Sequence, residues 1–114
     1  LYQAAIIELY DHAKELFNLD VVVGGATRKS HMLAAGYTEN ELVKTERPVL
    51  ISDLFDWFCD LRTARKHNGY SLMAIEYTEM HAYFLMRAIN VEKWQIDVIR
   101  MLDSLSLEAY RESK

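Results

Sequence analysis

Glu8, Asp11, His12 and Glu15 stand at i, i+3, i+4 and i+7, a spacing that puts three carboxylates and an imidazole on one helical face, the donor types that hold metal ions. A single helix supplies only one side of such a site. The paired Glu-x-x-His motifs of two-metal bundles are missing, so a solvated polar face is the better reading and no metal or cofactor is expected. Glu76, Glu79 and His81 are looser still, since positions 79 and 81 do not share a helical face. Cys59 and four histidines (His12, His31, His67, His81) could form a thiolate–imidazole nucleophile only in a partly exposed, electropositive niche. Cys59 lies instead in the run Leu54, Phe55, Trp57, Phe58 and is expected to pack as a small hydrophobe. Gly24-Gly25-Ala26-Thr27 ahead of a helix is like a phosphate-cradling turn, yet it lacks the Gly-Lys-Ser/Thr ending and the third glycine, and reads as a connection. No catalytic constellation closes, and no enzyme is expected.

Arg62, Arg65, Lys66 and His67, followed by Tyr70, are the densest basic group. A phosphate or RNA contact is one use of it. The ordinary one is that cations in a last helical turn oppose the helix dipole, and an acidic protein partner is as good a target as nucleic acid. The aromatic and methionine load is more telling: Trp57, Phe58, Tyr70, Tyr77, Tyr83, Phe84, Trp94 and Tyr110 with Met73, Met80, Met86 and Met101 exceed what so short a chain can hide, so some are expected to surface as a protein-binding patch.

The chain that must position these groups has 114 residues, 51% hydrophobic against 26% charged, enough for one domain over 1–114 with a weak sub-boundary near 47–52. Thirteen Lys+Arg against 17 Asp+Glu give a net charge of −4, which argues against nucleic acid as a partner. One cysteine makes no internal disulfide and suits a reducing cytoplasm. No run approaches the ~20 apolar residues of a membrane span, and no export signal is apparent.

Four glycines and one proline leave few turns, and apolar residues recur at three and four, so an all-α orthogonal bundle of five to six helices is expected. Tyr2 to Asn18 is a first amphipathic helix, and Val21-Val22-Val23 an extended connector. Thr27 caps a short helix ended at Gly36, and Thr38 with Glu41 has capping-box spacing ahead of a helix that stops before Pro48. Ser52 or Asp53 caps a helix reaching the 62–67 basic group and ended by Asn68-Gly69. Ser71 to Ile75 is a helical turn or short extended segment, Thr78 caps a helix broken at Asn90, and the last helix runs from about Val91 to Tyr110. Leu9, Phe17, Leu54, Trp57, Phe58, Phe84, Trp94, Ile99 and Leu102 are the expected core.

Three stretches resemble small proteins of long-tailed bacteriophages, the tail assembly chaperones encoded beside the tape-measure gene. They are DLFDWFCDLRTAR from Asp53, IEYTEMHAY from Ile75 and VIRMLDS from Val98. The likeness is an order of elements over about Leu50 to Tyr110: a Phe/Trp-rich helix ending Leu-Arg-x-x-Arg, an Ile-x-Tyr-Thr-Glu entry to a helix with an Ala-Tyr pair, and an Ile-x-x-Leu-Asp helix. It implies a non-enzymatic helical adaptor in the host cytoplasm that keeps the tape-measure protein soluble and recruits tail-tube subunits. A phage or prophage regulatory or host-interaction protein shares these features, and a small metal- or Cys-dependent enzyme is the rival of another class. Taken with the cations and aromatics, the resemblance puts the partner-binding surface at Arg62, Arg65, Lys66, Tyr70, Tyr77 and Tyr83, an apolar patch rimmed by cations and suited to a partly acidic amphipathic helix. Self-association is expected when no partner is present.

Overall fold

The computed structural model describes residues 2–48, 51–65 and 72–113, and among them six helices and one two-stranded hairpin. α6 (Lys93–Glu112) is the central element. Val98, Ile99, Leu102 and Leu105 make its buried stripe, and Asp103, Ser106 and Leu107 are buried beside it, so it is covered on more than one side. α1 (Gln3–Leu19) lies along it in the same direction. Tyr2 stacks on Trp94 where both helices start, with ring centroids 5.0 Å apart, and just past their ends the Val22 N–H donates to Ser113 Oγ at 2.9 Å. α4 (Ser52–Thr63) packs on α6 and meets α1 through rings: Phe17 lies 5.8 Å from Phe58 and 6.3 Å from Phe55. Leu9, Phe58, Ile99 and Leu102 are fully buried where these helices meet, and removing each such side chain from water contributes about 1.5–3 kcal/mol. Of the expected core, Trp57 and Trp94 are only half-buried. Trp57 presents an edge to Phe84 at 5.3 Å.

Between α1 and α4 the chain makes small elements. The expected extended connector at Val21–Val23 proves to be half of a hairpin, β1 (Val22–Val23) and β2 (Ala26–Thr27), paired antiparallel with Val22 opposite Thr27. Its partner strand is three residues away. Gly24 and Gly25 have φ of +63° and +86°, the two positive angles that a type I′ turn needs and that glycine adopts freely. α2 (Arg28–Ala34) is capped by Thr27, whose hydroxyl accepts from the Ser30 N–H at 3.1 Å. It ends in a Schellman motif, Tyr37 N–H to Met32 C=O and Gly36 N–H to Leu33 C=O, with Gly36 in the left-handed position. α3 (Glu39–Leu42) is a single turn, where Glu41 reaches back to the Thr38 N–H at 2.9 Å. That bond holds the Glu41 carboxyl below its usual range.

Two helices depart from expectation at their ends. α4 has Ile51 at its N-cap, not Ser52 or Asp53, and it stops at Thr63, so only Arg62 of the basic group lies in its last turn. The expected ending at Asn68-Gly69 falls outside the described residues. α5 (Tyr77–Met86) has Glu76, not Thr78, at its N-cap. It closes before Asn90, in a second Schellman motif made by Ile89 N–H to Phe84 C=O and Ala88 N–H to Leu85 C=O. Ala88 takes the left-handed angle there, with φ +55°, where glycine is the usual residue.

Candidate functional site

The polar face of α1 does not stay together as a metal-ligand face. His12 is buried, with Nδ1 3.2 Å from Thr45 Oγ1 and its ring beside Phe55, whereas Glu8 and Asp11 are exposed. Glu15 accepts from the Lys44 backbone N–H. Two side chains of that face therefore hold the 43–48 segment against α1. Among the described residues no three His, Cys, Asp or Glu side chains gather closely enough to hold a metal ion. The Cys59 thiol is half-buried, and its burial pushes its pKa up, against the nearby Arg62 and Arg47. A raised pKa leaves less thiolate for nucleophilic chemistry.

The six residues expected to bind a partner occupy different places. The Arg62 guanidinium lies over Phe17 at 5.4 Å and Phe58 at 5.8 Å, so it ties α4 to α1. Arg65 follows the end of α4 and pairs with Asp103 of α6, both side chains buried. Asp103 also accepts from the Ile75 N–H at 2.9 Å. Lys66 and Tyr70 lie outside the described residues. The Tyr83 hydroxyl donates to Asp60 at 2.6 Å, and Arg87 reaches the same carboxylate at 3.5 Å. Tyr77 is exposed at the start of α5, with Arg100 over its ring at 5.1 Å. Tyr77 and Tyr83 thus share α5 while facing different neighbours.

What α5 adds to them is apolar surface. Its ten residues, YTEMHAYFLM, carry one carboxylate, no lysine and no arginine, so it is apolar nearly all round, and only Met80 and Phe84 are buried. Leu85 is 69% and Met86 85% exposed. Beside them a groove of about 350 Å³ runs between α5 and the start of α6, lined by Met80, Phe84, Ile89, Val91 and Ile96 with Tyr77, His81 and Leu85 at its edge. Sequence reasoning named Met86 and Tyr77 among the surplus hydrophobes but not Leu85. The signal was present, since a helix without a polar side must be buried or leave apolar residues for something else to cover.

These elements define a small helical module, with apolar side chains of α5 at its surface and no helix, among the described residues, long and apolar enough to cross a membrane. A family model described as phage tail assembly chaperone matches residues 33–108, two thirds of the chain, and the chain belongs to that family. The match takes in α3 to α5 and most of α6, and it leaves α1, the hairpin and all but the last two residues of α2 outside. Comparison with curated proteins and with solved structures returns no match.

Proposed function

We propose that this member of the phage tail assembly chaperone family acts in the host cytoplasm without catalysis. It holds an apolar helical stretch of a tail protein, foremost the tape measure, and brings it to tail-tube subunits. The observation that carries this reading is the α5 face, where Leu85 and Met86 stand in water next to an apolar groove. A client helix laid along that groove buries them in the way helices dock into apolar grooves. The proposed surface keeps Tyr77 and Tyr83 and adds Leu85 and Met86. Arg62 and Arg65 are left out, because their guanidinium groups are engaged within the bundle. Two copies meeting on this face give the self-association expected without a client.

The test is co-expression with the neighbouring tail genes and pull-down, comparing wild type with a Leu85→Ser, Met86→Ser variant whose circular dichroism matches wild type. Capture of the tape measure by wild type and its loss in the variant is the expected result. A variant that captures as well as wild type removes α5 from the reading, and a wild type that captures no tail protein removes the reading itself.

A further inference from the structure

We propose that the furrow between the C-terminal halves of α1 and α6 is a second docking surface, shaped for a cationic amphipathic helix of a partner protein. This goes beyond the α5 reading and does not rest on it. The furrow holds about 380 Å³; Asp11 and Glu15 of α1 form one wall, Glu108 and Glu112 of α6 the other, and Phe17, Leu105 and Ala109 the floor. Its charge is only partly answered within the chain, where Glu15 accepts from the Lys44 backbone N–H. Among the described residues Asp11 and Glu108 have no ion-pair partner. Glu112 meets Arg28 at 3.6 Å with both side chains well exposed, a kind of pair that an incoming cation displaces at little cost. Lys14, the one cation of the lining, holds its ammonium 5.9 Å over the Tyr10 ring.

A second source of negative potential is independent of these carboxylates. Because α1 and α6 run in the same direction, their carbonyl ends lie side by side at this end of the bundle, and α1 has no basic residue in its last turn. The last turn of α6 carries Arg111, so it is the α1 dipole, with no cation against it, that adds to the field in the furrow. The apolar floor then selects the occupant. A free cation has no use for Phe17 and Leu105, whereas a helix with an apolar residue between two lysines or arginines one turn apart places the apolar group on the floor. Its cations then face carboxylates that are themselves four residues, about 6 Å, apart on each wall. Opposite potentials across such a face steer and orient the partner. The α5 face offers a client no such field, so the two surfaces select different chemistry.

The experiment uses the intact chain and a labelled synthetic helical peptide of about 20 residues, long enough to hold a helix, with a leucine stripe flanked by lysines at i and i+4, read by fluorescence anisotropy. Saturable binding is expected. It should weaken roughly tenfold when Asp11→Asn and Glu108→Gln are combined, and weaken again between about 50 and about 300 mM salt. It should be lost when the peptide's leucines become serines, and it should survive Leu85→Ser, Met86→Ser. Absence of saturable binding overturns the proposal, and so does binding indifferent to Asp11→Asn, Glu108→Gln. Equal binding of the serine peptide reduces the effect to bulk attraction by an acidic chain, and loss in the α5 variant moves the peptide to α5; both outcomes refute the furrow.

Discussion

Replacing Asp103 by alanine should be among the most damaging single changes in this bundle. Its carboxylate accepts from Arg65 through one oxygen and from the Ile75 N–H through the other, and the two side chains are 7% and 4% exposed. Three separate stretches, the end of α4, the approach to α5 and the middle of α6, are fastened at that one group. Burial lowers the Arg65 guanidinium pKa while Asp103 opposes the shift, so the arginine depends on its partner. Asp103→Ala leaves a buried guanidinium uncompensated, a loss of about 3–5 kcal/mol, against a total of about 5–15 kcal/mol for a typical domain. Arg65→Met with Asp103→Leu removes both charges at similar volume. The remaining penalty is the unpaired Ile75 N–H, about 1–3 kcal/mol, so the double variant should be more stable than the single one. Urea unfolding followed by the fluorescence of Trp57 and Trp94 measures both, with an unchanged denaturant slope as the check on two-state behaviour. A loss below about 1 kcal/mol for Asp103→Ala, or a double variant no more stable than the single, would refute the account of this pair.

Burial, then the bond to Asp60 and its charge, push the Tyr83 phenol up to about 12, above its unfolded value, so its contribution to stability is complete below pH 10 and is lost as pH rises toward about 12. One tyrosine should therefore ionise later than the rest in an absorbance titration, and Asp60→Asn should bring it only part of the way back, since burial is the larger cause; a Tyr83 that titrates with the others contradicts the assignment. Trp57→Ala should cost about 1.5–3 kcal/mol, less than the ~3–5 for a fully buried ring, because Trp57 is half-buried with an edge contact to Phe84; a thermal or urea measurement giving under about 0.5 kcal/mol would place the ring outside the core.

Periodicity locates α1 and α4 because each buries one stripe, and α6 because its apolar residues recur at helical spacing over twenty residues; side-chain spacing locates the caps at Thr27 and Thr38 because those bonds are local. The hairpin is just as local, but two residues a side are too few to show a period of two, and Val21 to Val23 looks like a lone connector until Ala26-Thr27 is taken as the partner across the Gly24-Gly25 turn. Ser52 or Asp53 for α4 and Thr78 for α5 are good capping residues, yet the chain enters each helix one or two residues earlier, where Ile51 is buried and Ile75 is held by Asp103. The fate of Arg65 depends on the same kind of fact. That arginine stands four residues past Leu61 and seven past Phe58, in line with the buried stripe of α4, and beyond the helix end at Thr63 its guanidinium meets an aspartate 38 residues away, a pairing that no local pattern encodes. His12 likewise reads as polar by type, while its burial is set by Thr45 and Phe55 from elsewhere in the chain.

The side-by-side placement of the first and last helices also imposes a timetable. α1 is complete at Leu19, and the helix it needs does not begin until Lys93. At about 5–20 residues per second of synthesis, α1 waits roughly 4–15 s for α6, and in that time only the rings of α4 reach its stripe, at Phe17. The hairpin, α2 and α3 close on short-range contacts during that interval, but the long-range pairing that seals the core is the final event. While it is being made, this chaperone is itself a chain with an unburied apolar stripe, in the same condition as the client it is proposed to hold.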